Sequence, residues 1–99
     1  MNMERKYPEQ VGDVLRSLLE ETSLKTRMEE LHAAELWPKV AGGAIAEECG
    51  KPSVRNGVMS IGVKNAALRN ELLMSRSGFI SNINRCLGKE IIKEIRFTS

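Results

Sequence analysis

The feature that most constrains the fold is a hairpin pattern in the middle of the chain. The dipeptide Asn56-Gly57 follows the segment Ser53–Arg55, and both of its residues tolerate the positive φ angles of a two-residue type I′ turn. After the turn, Met59, Ile61 and Val63 alternate with polar or small residues. This period of two is typical of a strand with one buried face. The pattern therefore predicts an antiparallel strand pair with one face in the core.

An amphipathic helix is predicted near the start of the chain, over about residues 9–21. Pro8 lies just upstream, and the dipeptide Thr22-Ser23 is expected to end the helix. The apolar residues recur with the i, i+3, i+4, i+7 spacing of a single helix face, and we expect this face to lie in the core. They are Val11, Val14, Leu15, Leu18 and Leu19.

A second helical pattern begins at Leu24 and is expected to end at Gly50. Because Pro38 lacks an N–H group and its ring clashes with the preceding turn, we expect a kink or a restart near residues 35–37. Two glycines, Gly42 and Gly43, lie inside this pattern, and each weakens a helix by about 1 kcal/mol relative to alanine. We expect them to permit the close approach of another backbone.

Two short helices, or one bent helix, are predicted after the hairpin. Asn65 is a suitable N-cap for the first apolar stretch, and Gly88 is placed as a C-terminal cap of the second. The segment Ser75–Gly78 interrupts the periodicity between them. A β-branched run from Ile91 to Phe97 then predicts a terminal strand.

The predicted elements follow one another as α, kinked α, β, β, α, α, β. Without the first helix this is αββααβ, the order of the type II KH-like fold. We therefore predict an α+β protein with an extra N-terminal helix and a three-stranded sheet covered by helices on one face, so that the other face stays available. Ninety-nine residues supply one core; residues 1–8 are expected to be a tail and residues 9–99 a single KH-like domain.

Motifs for catalysis, metals and membranes are missing from the sequence. The lone histidine, His32, has no Cys or His neighbour at a metal-ligand spacing and is interpreted as a half-exposed helix residue. No phosphate-binding loop or serine elbow occurs, so we expect neither an enzyme, a cofactor nor a small-molecule substrate. The polar N-terminus and the lack of a long apolar run predict a cytoplasmic protein without membrane contact. Cys49 and Cys86 are then expected to be reduced, packed thiols.

Charge divides the chain into two unlike halves. The formal net charge is only +2, but residues 1–50 carry 6 basic and 10 acidic side chains, whereas residues 51–99 carry 9 and 3. Such asymmetry favours contact with nucleic acid or with an acidic partner. The acidic helices offer either a solvated face or a docking surface for a basic partner. Three of the four aromatic side chains, Trp37, Phe79 and Phe97, fall on apolar positions and are predicted to lie in the core rather than to stack on bases.

Four segments of the chain, in order, carry a recognisable pattern. Residues 36–46 (LWPKVAGGAIA) resemble the W-x-x-V-x-G-x-x-I/L-A signature of the DciA-like family, a bacterial domain long classed as being of unknown function, and Pro52 and Gly57 match the proline and hairpin glycine of that family. Residues 68–72 (LRNEL) and 83–97 (INRCLGKEIIKEIRF) resemble its third and fourth motifs. The positions that carry the match are expected to be structural: Trp37, Val40, Gly42, Pro52, Gly57, Leu72 and Gly88.

The resemblance implies a KH-like domain that assists the replicative DNA helicase during loading and also binds DNA. The sequence differs from related modules in two ways. Many relatives carry a basic extension beside the domain. The G-x-x-G clamp of true KH modules is absent from this sequence, and Ser75–Gly78 occupies roughly that loop. We therefore expect weak, salt-sensitive and non-specific binding, with a Kd of about 10⁻⁴ to 10⁻⁶ M.

Three functional hypotheses remain open from the sequence. The first is a non-enzymatic helicase adaptor with weak DNA binding, the second a stand-alone KH-like protein that binds DNA or RNA, and the third an oligomeric structural protein that associates through the exposed sheet face. If the helix after Asn65 is continuous, Arg69 and Arg76 share a face. The cations predicted to contact nucleic acid are Arg55, Lys64, Arg69, Arg76, Lys89 and Lys93.

Overall fold

The computed structural model describes residues 9–99. The predicted tail at residues 1–8, including Pro8, lies outside the described residues. The remainder is a mixed α+β structure in which two helices precede a hairpin and two more helices connect it to a final strand. In chain order the elements are α1 (Glu9–Ala41), α2 (Gly43–Glu47), β1 (Ser53–Arg55), β2 (Val58–Gly62), α3 (Ala66–Met74), α4 (Arg76–Leu87) and β3 (Glu94–Thr98).

Helix α1 spans 33 residues without interruption, and so the predicted end at Thr22-Ser23 is wrong. The Thr22 hydroxyl donates to the Leu18 carbonyl at 2.9 Å, so that the side chain is satisfied inside the helix. Pro38 also lies within α1, and the helix is continuous through residues 35–37, where a restart was expected. The break comes at Gly42, whose φ of 92° is incompatible with an α-helix.

The apolar stripe of the first half of α1 is exposed, contrary to the prediction that it lies in the core. The exposed fractions of Val11, Val14, Leu15, Leu18 and Leu19 run from 40% to 71%. The core begins only in the second half of α1, where Ala33 and Trp37 are buried. Apolar periodicity shows which side of a helix is apolar, but it does not show whether another element covers that side.

The hairpin has the predicted geometry. Asn56 and Gly57 have φ angles of 51° and 80°. A positive φ at both central residues is the requirement of a type I′ turn. β1 and β2 pair antiparallel with Val54 opposite Met59, and β2 pairs parallel with β3 with Met59 opposite Ile95. The sheet order is β1-β2-β3. Helices α3 and α4 provide the crossover that two parallel neighbouring strands need.

Two separate helices follow the hairpin. The side chain of Asn65 accepts a hydrogen bond from the Leu68 N–H at 3.0 Å and caps α3, as predicted. Ser75 separates α3 from α4, and Gly88 ends α4 in the left-handed conformation expected of it. Arg69 and Arg76 were expected to share one helix face only if the helix was continuous. Because the two residues lie on separate helices, this condition is not met.

The core lies between the helices and one face of the sheet. On that face Val54, Met59, Ile61 and Ile95 are buried and Phe97 is half-buried, whereas the residues on the other face are half-exposed or exposed, so the sheet is covered on one side as predicted. Trp37 packs edge-on against Phe79 with ring centroids 5.1 Å apart, and Phe97 lies 5.9 Å from Trp37. The buried apolar residues are Ala33, Trp37, Val54, Met59, Ile61, Val63, Leu72, Ile83, Ile92 and Ile95.

Candidate nucleic-acid interface

Helix α1 holds the hairpin through one buried carboxylate. Glu30 is only 6% exposed, and its Oε2 accepts a hydrogen bond from the Gly57 N–H at 3.3 Å. Arg27 reaches the same place from the preceding turn of α1: its Nη1 donates to the Val54 carbonyl at 2.9 Å and lies 3.4 Å from Glu30 Oε1. These contacts fix the position of the turn and therefore of the exposed Arg55 beside it.

The turn carries two of the predicted cations. Arg55 is exposed on the outward face of β1, and Lys93 is exposed beside Gly57. The Lys93 N–H donates to the Gly57 carbonyl at 2.8 Å, and the Lys93 side chain runs over the glycine, where a Cβ would lie 3.4 Å from its Cγ. We call Arg55 and Lys93 the turn group.

A second pair of cations lies where the chain leaves β2. The Arg69 guanidinium donates from Nη1 to the Val63 carbonyl at 2.7 Å, which places it next to the exposed Lys64. We call Lys64 and Arg69 the exit group. Arg55 pairs with Val58, and Lys64 comes six residues after Val58, so the two groups lie roughly 20 Å apart along the sheet.

The remaining two predicted cations stand apart from both groups. Arg76 is exposed at the first residue of α4. Lys89 forms an ion pair with Glu29 of α1, so part of its charge is already compensated within the molecule. The structure thus brings the six predicted cations together as two pairs and two single residues rather than as one cluster.

The outward face of the sheet lies between the two groups and is polar. Ser60 of β2 is aligned with Arg96 of β3, and Arg96 lies 3.6 Å from Glu94 in an exposed ion pair. The aromatic rings of Trp37, Phe79 and Phe97 pack with one another on the helix side, so they are not available to stack on bases. Such a surface offers separated cations to phosphates and, among the described residues, no aromatic ring to stack on bases.

A statistical comparison of the sequence with known families matches residues 10–97 to the family described as "Dna[CI] antecedent, DciA". This match covers nearly the whole chain. The chain belongs to the DciA family. Similar proteins with 22% identity over 91 residues are the UPF0232 proteins of Mycobacterium bovis and Mycobacterium tuberculosis. The alignment covers 92% of this chain and 49% of each relative, so the chain spans about half the length of these relatives.

The residues that carry the DciA motifs are mostly structural in this chain. Trp37 and Leu72 are buried, and Val40 packs against the core. Pro52 is half-buried just before β1. Gly57 is held on both sides, because its N–H donates to Glu30 and its carbonyl accepts from Lys93.

The DciA-motif glycines at helix ends need positive φ angles rather than space. Gly42 has a φ of 92° and Gly88 a φ of 79°. A Cβ on Gly42 or on its neighbour Gly43 would meet no heavy atom within 4 Å. The expectation that this pair permits a close backbone approach is therefore wrong. Gly42 instead allows the chain to turn sharply between α1 and α2.

Sequence reasoning missed the residues that tie the loops of this DciA-family chain together. Asn84 donates from Nδ2 to the Ile92 carbonyl at 2.8 Å, and its Oδ1 accepts from the Ile91 and Ile92 N–H groups. Glu30 and Arg27 were likewise not singled out. The position of Glu30 in the chain could have indicated its role, since it lies one turn before Ala33 on the core side of α1.

The two cysteines are free, as predicted, but only one of them is packed. Cys49 is half-buried and Cys86 is exposed. Burial, with a smaller contribution from the neighbouring Glu48 carboxylate, raises the pKa of the Cys49 thiol above its usual value.

His32 is exposed rather than half-exposed. Among residues 9–99 no group of His, Cys, Asp and Glu side chains is arranged to hold a metal ion, and none of the described helices has the length and apolarity to cross a membrane.

Proposed function

We propose that this protein is a non-enzymatic, cytoplasmic adaptor that assists the loading or operation of the bacterial replicative DNA helicase. The observation that carries the proposal is the DciA family match over residues 10–97. The proposal extends to weak, non-specific DNA binding through the cations of the sheet and its flanking loops. The KH-like classification also belongs to the proposal: it is supported by the uncovered sheet face and by the αββααβ order that follows α1.

Charge placement gives the adaptor two different surfaces. Exposed carboxylates lie on the first half of α1 and around α2, at Glu20, Glu21, Glu47 and Glu48. The turn group and the exit group lie on the sheet and the elements after it. Oppositely charged surfaces on separate elements suit a protein that contacts a protein partner on one side and phosphates on the other.

The helicase contact is tested with two purified proteins. The full chain is immobilised, and the nuclease-treated helicase hexamer of the same bacterium is passed over it. We expect saturable binding that survives nuclease treatment, since a protein contact does not need a nucleic-acid tether. Absence of binding at about 50 μM helicase would contradict the adaptor hypothesis.

DNA binding is tested by fluorescence anisotropy with a single-stranded and a double-stranded oligomer at 50 and 200 mM salt. If three phosphates are neutralised, the affinity for the duplex falls roughly 40-fold between the two salt concentrations. The variant Arg55→Glu/Lys64→Glu removes one cation from each group, and neither side chain forms an ion pair within the described residues. We expect it to bind several-fold more weakly with a salt slope smaller by about two.

A charge-matched variant is the control for this measurement. Arg16→Glu/Lys39→Glu makes the same change in net charge on α1 rather than on the sheet. Equal losses in both double variants would show that only net charge matters and would contradict an interface on the sheet.

A stand-alone KH-like nucleic-acid binder is the second candidate, and the open sheet face favours it. The same oligomers in RNA form separate it from the adaptor. Tight RNA binding together with no helicase binding would favour the stand-alone protein.

A further inference from the structure

The dipeptide Asn56-Gly57 at the tip of the hairpin has a chemistry of its own. The chain contains six asparagines, and only Asn56 is followed by a glycine. Because glycine has no side chain to shield its backbone nitrogen, that nitrogen can reach the side-chain amide of a preceding asparagine with little steric hindrance. Asn56 is exposed and Gly57 is buried. The hairpin therefore carries a solvent-exposed amide next to a backbone nitrogen that is able to attack it.

The reaction open to this pair is deamidation through a cyclic imide. The Gly57 nitrogen gives up its proton and bonds to Cγ of Asn56, while the Cγ–Nδ2 bond breaks and ammonia leaves with that proton. Water then opens the imide at one of its two carbonyl carbons. The product is aspartate or isoaspartate, and water is the only other reactant.

The conformation of the turn decides whether the Gly57 nitrogen reaches Cγ. The first central residue has φ and ψ of about 60° and 30° in a type I′ turn, and of about 60° and −120° in a type II′ turn. By the tetrahedral geometry at Cα, only the second value of ψ brings the next nitrogen beside the side chain. The observed turn is type I′, with a φ of 51° at Asn56. The Gly57 nitrogen therefore lies away from Cγ of Asn56.

Glu30 opposes the change from type I′ to type II′. The two turn types differ by rotation of the peptide group between the central residues, and this rotation reverses the direction of the Gly57 N–H. In the observed turn that N–H donates to Glu30 Oε2 at 3.3 Å, and Glu30 is only 6% exposed. The rotation therefore breaks a hydrogen bond to a buried carboxylate.

The other side of Gly57 is held by the segment that enters β3. The Gly57 carbonyl accepts hydrogen bonds from the N–H groups of Lys93 at 2.8 Å and Glu94 at 3.3 Å. A Cβ on Gly57 would lie 3.2 Å from the Ile91 carbonyl oxygen, so the glycine is closely packed there. The turn therefore does not move away from α1 as a unit, and the peptide has to rotate against Glu30.

We propose that Asn56-Gly57 is a latent deamidation site and that the Glu30 carboxylate is the latch that keeps it closed. Arg27 is the positioning residue of this latch, because its Nη1 lies 3.4 Å from Glu30 Oε1 and also donates to the Val54 carbonyl. When the contact between Glu30 and Gly57 opens, the peptide rotates and the imide forms. Loss of a hydrogen bond to a charged acceptor lowers the population of the rotated peptide about tenfold or more.

Deamidation changes the hairpin in two ways. Both products place a carboxylate beside Arg55 of the turn group, and isoaspartate also adds a methylene to the main chain of a two-residue loop. Because the length of the loop fixes the register of a hairpin, isoaspartate is incompatible with the present pairing of Arg55 with Val58. A weaker contact of the turn group with DNA phosphates follows; this effect rests on the proposed function, whereas the reaction itself does not.

Peptide mass spectrometry of the full chain tests the proposal. Wild type and Glu30→Ala are kept folded in mildly alkaline buffer, the wild type is also kept unfolded in urea at the same pH, and the converted fraction of Asn56 is followed. We expect folded wild type to react at least about tenfold more slowly than the unfolded chain, with Glu30→Ala several-fold faster than folded wild type. Equal rates in folded and unfolded wild type would overturn the proposal.

A stability-matched sample separates the latch from general destabilisation. The wild type is measured below its unfolding transition, at the urea concentration that lowers its free energy of unfolding as much as Glu30→Ala does. We expect this sample to react more slowly than Glu30→Ala, because urea weakens the whole fold whereas the substitution releases one peptide group. Equal rates would show that global unfolding limits the reaction, and a variant slower than wild type would show that the carboxylate acts as a base. Either result would overturn the latch.

Glu30→Gln is the conservative variant. Its side-chain oxygen can still accept the Gly57 N–H, but without a charge. We expect a rate between those of wild type and Glu30→Ala. A rate at or above that of Glu30→Ala would overturn the role of the hydrogen bond.

The effect on DNA binding is measured on the products themselves. Intact and deamidated wild-type chains are separated by ion exchange and compared by fluorescence anisotropy with the same duplex oligomer. We expect the deamidated chain to bind several-fold more weakly, since the new carboxylate offsets one cation of the turn group. An unchanged affinity would overturn this effect and count against the proposed interface, whereas the rates from mass spectrometry do not depend on DNA binding.

Discussion

At the scale of single residues, Glu30 is the contact on which the attachment of the hairpin depends most. Its buried carboxylate accepts the Gly57 N–H and lies beside Arg27. A buried donor that loses its acceptor costs about 1–3 kcal/mol. The turn group is positioned by the same contact, so stability and site geometry are coupled here.

We predict that Glu30→Ala lowers the free energy of unfolding by about 2 kcal/mol, because the Gly57 N–H and part of Arg27 lose their partner. Urea unfolding followed by circular dichroism measures the change. Glu29→Ala is the matched control: Glu29 only forms an ion pair with the half-exposed Lys89, and such pairs contribute less than about 1 kcal/mol. Equal losses in the two variants would show that the contact with Gly57 does not stabilise the fold.

We predict that Gly57→Ala destabilises the protein by about 1–3 kcal/mol. The backbone at Gly57 has a φ of 80°, which alanine rarely adopts, and the new Cβ would lie 3.2 Å from the Ile91 carbonyl oxygen. Thermal unfolding of Gly43→Ala is the comparison, since Gly43 is helical with open space around it. We expect that substitution to stabilise α2 by up to about 1 kcal/mol; a stable Gly57→Ala variant would contradict the strain at the turn.

Residue-level prediction succeeded where one local rule decides the conformation. Asn56-Gly57, Asn65 and Gly88 do what their backbone and hydrogen-bonding preferences require. It failed for Glu30 and Asn84, because both bind backbone groups distant in the chain: Glu30 binds Gly57, and Asn84 binds Ile91 and Ile92.

At the scale of elements, α1 has two halves with different sources of stability. The second half is held by burial of Ala33 and Trp37 and by the contacts of Arg27 and Glu30. The first half has its intrahelical hydrogen bonds and local contacts such as that between Arg16 and Asp13. Isolated helical segments of this length are marginal in water.

We predict that hydrogen exchange separates the two halves. In dilute solution, amides of residues 12–24 should exchange much faster than those of residues 30–41, because the first half opens without disturbing the core. Mass spectrometry of peptides from each half measures the difference. Equal protection in dilute solution would contradict a first half that lacks tertiary contacts.

At the scale of the whole molecule, the projecting helix makes the shape elongated. The principal extents are 61 × 25 × 19 Å and the Cα radius of gyration is 18.5 Å. A compact chain of this length has a radius of gyration of about 13 Å. The body that carries the core is therefore small, and α1 extends well beyond it.

We predict that small-angle X-ray scattering of the protein in dilute solution yields a radius of gyration near 18.5 Å, because α1 stays extended as one rod. A radius near 13 Å would show that the first half of α1 folds back onto the body and would contradict the exposed stripe.

The sequence alone determined the features that depend on neighbouring residues. Local conformational preferences determine the hairpin turn and the cap of α3. The order of the residues shows the alternation of Met59, Ile61 and Val63 and the DciA motifs. The tertiary structure alone decided what covers each apolar face and which cations come together. It left the stripe of α1 exposed while burying Trp37, and it separated the turn group from the exit group, because burial and charge proximity depend on how distant segments pack.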